Sequence, residues 1–313
     1  MTSFNFPIAD IAPFVAGTEE AGRVVDEVRE ALTEVGFMYV EGHGISPAIF
    51  QRALESSRYF FAQPGAIKSR FAFRQDDLEA NFGFHGLEAE RLDTSSAPDL
   101  KESFSMRNAP AVTQVERWPG EEFRRTALAL YEASLSASYC ILRIMAAGLD
   151  LPSEFFTERH QGQNVTLRLL HYPAGIPAAS AAQLGAGAHT DYGSITLLHQ
   201  DDVGGLEVRG GDGQWHSAPA VPGALLVNTG DLMQRWTNDR FRSTFHRVRA
   251  IGGPADRYSI AFFVDPDTDV RVECIESCRG KHAPSRYPTV TAGEHIQSRI
   301  AASQASESQE RPT

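Results

Sequence analysis

The spacing of apolar residues changes about halfway along the chain. Between Glu19 and Val35 they fall at Val24, Val25, Val28, Ala31, Leu32 and Val35, the rhythm of a helix with one buried face. Gly36 ends that run, and Phe37-Met38-Tyr39-Val40 reads as a short buried strand. Ser46-Pro47 sets a capping residue before a proline at the first helical position and predicts a helix to about Phe61. A long helix is expected from Glu121 to about Leu149. Asp150-Leu151-Pro152 stops it, and Ser153 is expected to cap a short helix after it. The stretch from Phe71 to Ala111 mixes charge, Gly and Ser without a sustained period and reads as loops with short, unphased strands.

From Asn164 onward the runs shorten and become β-type: Val165–Tyr172, Ser194–His199, Leu206–Arg209, Ala224–Asn228, Phe245–Ala250, Tyr258–Val264 and Val270–Glu273. Gly, Pro, Asp or Asn clusters separate them. Many short strands with turn signals between them predict a sandwich, barrel or jelly roll. With helices early and strands late, the fold class is α+β with a mainly β core. No Pro/Ser-rich linker marks a boundary near residue 160, so one domain over residues 1–300 is expected. The polar end, 301–313, is expected to be a disordered tail.

Composition narrows the function classes. The chain has 313 residues, 42% hydrophobic and 22% charged, as in an ordinary soluble globular protein with ample core. No apolar run reaches the roughly 20 residues of a membrane span, and the N-terminus lacks the charged and apolar regions of a secretory signal. A net charge of −11 without a Lys/Arg cluster argues against nucleic-acid and membrane partners. The three cysteines, Cys140, Cys274 and Cys278, read as thiols in a reducing, cytoplasmic setting. Cys274 and Cys278 are spaced C-x3-C, but no second pair accompanies them, so they are not read as a metal clip.

The candidate chemistry lies in "GAHTDYG", Gly187 to Gly193. On a strand, residues i and i+2 share a face, so His189 and Asp191 would present an imidazole and a carboxylate side by side. A third ligand must come from elsewhere, and His246, at the head of another predicted strand, is the candidate. Two histidines and one carboxylate on one face of a metal leave the opposite positions open, an arrangement suited to non-haem Fe(II). Taken alone, H-x-D is a weak signal. Arg257 and Ser259 strengthen it: they are again co-facial, and a guanidinium fork beside a hydroxyl is a receptor for a carboxylate. His199 and His216 lack paired ligands and read as structural or solvent-facing. Asp201-Asp202 reads as a polar turn before Gly204-Gly205.

His189-Thr190-Asp191, His246 and Arg257-Tyr258-Ser259 together resemble the H-x-D, distal H, R-x-S signature of the 2-oxoglutarate- and Fe(II)-dependent oxygenases, in their isopenicillin N synthase-like branch. Phe6–Ile11, Val35–Val40, Gly42–Ile45, Asp99–Glu102, Asn228–Asp231 and Phe263–Pro266 also look like segments of that branch. The resemblance spans roughly residues 4 to 290. It implies a double-stranded β-helix (a jelly roll) flanked by helices, with an N-terminal region to about residue 110 and a core from about 160 to 280. It also implies Fe(II) on His189, Asp191 and His246, and 2-oxoglutarate as cosubstrate with its distal carboxylate on Arg257 and Ser259. Tyr172 matches a position that adds a hydrogen bond to that carboxylate. Arg168, on the same strand face as Tyr172, is a candidate for the substrate pocket, as are Tyr192 and Phe84, although Phe84 reads more readily as packing.

The implied reaction is oxidation of an unactivated C–H of a small organic substrate with O2. Hydroxylation, desaturation and ring closure all remain open. Succinate and CO2 are released, and ascorbate serves as reductant in vitro. Two alternatives stay open at this level: an isopenicillin N synthase-type oxidase that does without 2-oxoglutarate, and a non-catalytic jelly roll that binds a small molecule. The substrate and the oligomeric state are not legible.

Overall fold

The computed structural model describes residues 5–74, 81–176, 183–280 and 284–305. In chain order its elements are β1 (Ile8–Asp10), α1 (Ala12–Val15), α2 (Ala21–Glu34), β2 (Phe37–Glu41), α3 (Pro47–Phe61), α4 (Gly65–Lys68), β3 (Phe82–His85), β4 (Glu102–Arg107) and α5 (Glu121–Gly148). The later half adds β5 (Val165–Tyr172), β6 (Ala186–His189), β7 (Ile195–Gln200), β8 (Leu206–Arg209), β9 (Trp215–Ser217), β10 (Leu225–Thr229), α6 (Asp231–Trp236), β11 (His246–Val248), β12 (Arg257–Val264), β13 (Arg271–Val272), β14 (Val290–Thr291) and α7 (Ala292–Ala305).

The helical spacing has the expected consequence: α2 buries Val24, Val28, Ala31 and Leu32, a single stripe. It ends because Gly36 turns the chain at φ +76°, where a Cβ would stand 2.4 Å from the Arg242 carbonyl oxygen. Helix α3 starts at Pro47 as predicted, with Ser46 in extended conformation before it; the Ser46 side chain makes no capping bond. The helix expected after Pro152 does not form. Turns and a single 3-10 turn, Thr157–Arg159, take its place, with fully buried Phe156 and His160 holding the segment against the core. At the other end, α7 runs to Ala305, so the first residues of the tail expected to be disordered are helical. Alanine at 301, 302 and 305 favours this. The rest of that tail, 306–313, lies outside the described residues.

Two sheets face each other. The larger has the order β1-β2-β10-β7-β12-β5-β4-β3, and the smaller β6-β11-β8-β9. Only β1 and β2 pair in parallel; the other pairs of these sheets are antiparallel. Strands β3 and β4 occupy the stretch that could not be phased, adding an edge to the larger sheet through β5.

Alternation along each strand separates two cores. Met38, Val40, Leu167, Leu169, Ile195, Leu197, Ile260 and Phe262 face the helical layer of α2, α3 and α5. Phe37, Tyr39, Leu170, Tyr172, Leu226 and Ala261 face inward, against Ala186, Leu206, Val208 and Val248 of the smaller sheet. The inward face is the interior of the jelly roll. It carries the polar residues of the site.

Candidate active site

Strands β6 and β11 are neighbours, and their register sets His189 directly opposite His246. The two rings lie 4.2 Å apart at 50°. Asp191 is not on the strand: β6 ends at His189, and Asp191 occupies the bend leading to β7. Its carboxylate nevertheless reaches the histidines, with Oδ1 3.8 Å from His189 Nε2 and 3.6 Å from His246 Nε2. All three donor atoms lie within 4.8 Å of one another, the one such metal-binding group among the described residues.

The far side of each donor group is occupied. His189 Nδ1 donates to the Gly187 carbonyl at 2.8 Å and His246 Nδ1 to the Thr244 carbonyl at 3.2 Å. These bonds select the tautomer that leaves each Nε2 lone pair toward the centre. Asp191 Oδ2 accepts from the Thr196 hydroxyl at 2.6 Å and from Asn228 Nδ2 at 2.8 Å, which leaves Oδ1 for a metal. Burial opposes ionisation of Asp191, but the two imidazoles and these two hydrogen bonds outweigh it and lower its pKa. Burial, with the neighbouring His246, also lowers that of His189. A carboxylate and a neutral imidazole are the forms that bind a metal, so the donor set fits Fe(II).

Deeper in the barrel, Arg257 is 1% exposed. Its Nη1 donates to Ser259 Oγ at 3.1 Å and its Nη2 to Gln200 Oε1 at 2.9 Å, while Nε has no partner. The guanidinium stacks on the Tyr172 ring, 4.7 Å from its centroid, and Tyr172 is its cross-strand neighbour. Among the described residues no carboxylate stands within ion-pair distance of it. A buried cation left unpaired is costly, so the site fits an anionic cosubstrate.

Thr196, Asn228 and Gln200 had no role assigned from sequence. Thr196 and Gln200 share a face of β7, and that alternation was the available signal. Arg168 does face inward, tied to Glu90 and Ser103. Tyr192 sits in the bend after Asp191 with Arg299 of α7 over its ring. Phe84, offered as a pocket candidate but read more readily as packing, does pack: it faces the helical layer, edge-on to Phe60 at 5.7 Å, because inward positions on β3 alternate with it, and its place among the pocket candidates is withdrawn. Elsewhere, His199 stacks on Phe50 at 4.1 Å, His216 bonds to Asp212 at 3.0 Å, and Asp201 accepts the backbone N–H groups of Tyr258 and Val203 in a turn. No helix among the described residues is long and apolar enough to cross a membrane.

A family model described as the 2OG-Fe(II) oxygenase superfamily matches residues 163–266. Another, described as the N-terminal region of non-haem dioxygenase in morphine synthesis, matches residues 6–121. The chain is 34% identical over 311 residues to the 2-oxoglutarate-Fe(II) type oxidoreductase hxnY of Emericella nidulans, covering 93% of this chain and 88% of that protein. It is 36% identical over 321 residues to the 2-oxoglutarate-dependent dioxygenase citB of Monascus ruber, covering 94% of each. Among solved structures, a full-length Neurospora crassa protein in complex with alpha-KG and thymine superposes with a TM-score of 0.86 at 29% identity, covering 96% of this chain and 98% of that one. JOX2 in complex with 2OG, Fe and JA does so with a TM-score of 0.81 at 25% identity, covering 96% and 89%. With relatives that are 2-oxoglutarate enzymes, some solved with that cosubstrate bound, the reading without 2-oxoglutarate loses its ground. The chain belongs to the 2-oxoglutarate- and Fe(II)-dependent oxygenase superfamily, and it is a non-haem iron dioxygenase built on a jelly roll.

Proposed function

We propose that His189, Asp191 and His246 hold the catalytic Fe(II), that Arg257 and Ser259 receive the distal carboxylate of 2-oxoglutarate with Tyr172 packed beside them, and that Arg168 and Tyr192 face a small organic substrate. One observation carries this reading. Three converging metal donors have their far sides satisfied, and the same barrel interior holds a buried guanidinium with no carboxylate within ion-pair distance among the described residues. The iron and its cosubstrate supply the oxidising chemistry at a C–H bond, with succinate and CO2 as co-products. The polypeptide orients both reactants and excludes water. The Arg257 fork, with Ser259 beside it, would hold the cosubstrate by its distal carboxylate, and its 2-oxo acid end would be left free for a metal held by His189, Asp191 and His246.

The thymine and JA in the Neurospora crassa and JOX2 structures support a small-molecule substrate here. The architecture fits a single catalytic domain through about residue 300, and three free cysteines fit a reducing, cytoplasmic setting.

Succinate release tests the reading. Purified protein with Fe(II), ascorbate, O2 and 2-oxoglutarate is expected to form succinate, slowly alone and faster with substrate. Absence of turnover across a broad panel of small molecules refutes it.

A further inference from the structure

The barrel wall beside the metal site is charged. Arg168 of β5 pairs across to Ala261 of β12 on one side and Ser105 of β4 on the other. Its Nη2 donates to Glu90 Oε2 and, at 2.8 Å, to Ser103 Oγ. Glu90 lies on the loop between β3 and β4, which also carries Asp99 and Lys101. Lys101 Nζ donates to Asp99 Oδ2 and stands 3.6 Å from Glu90 Oε2. The loop is stitched to the strand of the metal ligands: Gly187 N donates to Asp99 Oδ1 at 2.9 Å, two residues before His189, and Leu100 N donates to the Leu184 carbonyl at 2.9 Å.

Two properties of this wall bear on what it contacts. First, its charges cancel, two cations against two carboxylates, and Arg168 and Lys101 keep Glu90 ionised despite its burial. A wall of this kind offers no net attraction to an ion. Second, its hydrogen bonding is incomplete. Among the described residues, Arg168 engages the protein through Nη2 alone, its buried Nε having no partner, and the Glu90 side chain is engaged through Oε2 alone. A buried ionic network stabilises a fold no better than apolar packing on average, so its position beside the iron ligands calls for a role in recognition. An open donor next to an open acceptor is complementary to a C=O beside an N–H.

Resting on the oxygenase reading above, we propose that the Arg168–Glu90 edge recognises a neutral substrate bearing adjacent C=O and N–H groups, an amide, lactam or cyclic imide. Arg168 donates to the carbonyl and Glu90 accepts from the N–H, which orients the substrate carbon to be oxidised toward His189, Asp191 and His246. A desolvated acceptor left without its donor is penalised, so loss of the N–H is expected to weaken binding about tenfold or more.

The test is ligand-observed saturation-transfer NMR on full-length protein loaded with Zn(II) in place of iron and with 2-oxoglutarate. The probes are uracil, 1,3-dimethyluracil and benzoate. Uracil is expected to bind, dimethyluracil to bind at least tenfold more weakly, and benzoate not to compete. Glu90→Gln is expected to erase the preference for uracil while the 2-oxoglutarate signal persists. Arg168→Lys, which keeps a cation opposite Glu90 but removes the planar fork, is a second variant with the same expected loss. Equal binding of the two pyrimidines, absence of uracil binding, or stronger binding of benzoate overturns the proposal. Failure of 2-oxoglutarate to bind would instead count against the cosubstrate assignment, and the ratio between the two pyrimidines would still decide this one.

Discussion

Asp191 shows how one side chain is divided between two tasks. Oδ2 is taken up by Thr196 and Asn228, and Oδ1 faces two imidazole nitrogens. Groups that orient a metal ligand in this way typically contribute 10- to 100-fold in affinity. Thr196→Val is therefore expected to weaken Fe(II) binding by about that factor, measurable by anaerobic titration, with little change in the circular-dichroism spectrum. Unchanged affinity would show that Asp191 needs no support. Arg257 poses the opposite case, a buried charge that the proposed cosubstrate would pair. Saturating 2-oxoglutarate, at about 100 times its Kd, is expected to stabilise the wild type by about 2.7 kcal/mol. Arg257→Leu is expected to lose that response while keeping or raising the unliganded thermal midpoint, because it removes a buried cation that has no carboxylate in direct contact among the described residues. A variant that still responds to 2-oxoglutarate would place the clamp elsewhere.

At the scale of elements, what could be read in advance followed from periodicity. The helices α2, α3 and α5 were legible because their apolar stripes repeat over several turns. The strands β5, β7, β10 and β12 were legible because they are long or strongly apolar. Strands β3 and β4 were not phased, since β3 has four residues and its Phe-Gly-Phe-His run gives no sign of which face is buried. That face decides Phe84. Its ring packs against Phe60 and Phe61 of α3, so Phe84→Ala is expected to cost about 3–5 kcal/mol of stability and to leave Fe(II) affinity unchanged. Chemical denaturation of the metal-free protein together with metal titration checks both halves. A selective loss of metal or substrate binding would return Phe84 to the site.

For the molecule as a whole, burial of histidines sets an acid limit. His160 and His199 are held neutral, each lowered to about 4 chiefly by burial, and so is His85. In the unfolded chain these groups titrate near about 6.5. Between those values the unfolded state binds more protons than the folded one, so stability is full above about 6.5 and declines as pH falls toward 4. Glu90, whose ionised form Arg168 and Lys101 favour, adds a further loss below the ordinary carboxylate range. The urea midpoint is expected to be lower at pH 5 than at pH 7 with an unchanged slope. A midpoint that is flat across that interval would mean the histidines are protonated in the fold.

The sequence by itself singled out the candidate residues for the chemistry. His189, Asp191, His246, Arg257 and Ser259 are chemically distinctive, and the two short spacings H-x-D and R-x-S with a distal histidine match a family signature, so residue type and spacing were enough to single them out. It also determined the helical stripes, which depend on neighbours only a few residues away. Only the tertiary structure decided that Asp191 acts from the bend beyond β6, that Thr196 and Asn228 hold it, that Phe84 turns away from the site, and that Glu90 meets Arg168 across 78 residues of chain. Alternation along a strand separates two faces without saying which is inside. That choice is made when two sheets close on one another, through contacts between residues far apart in the chain.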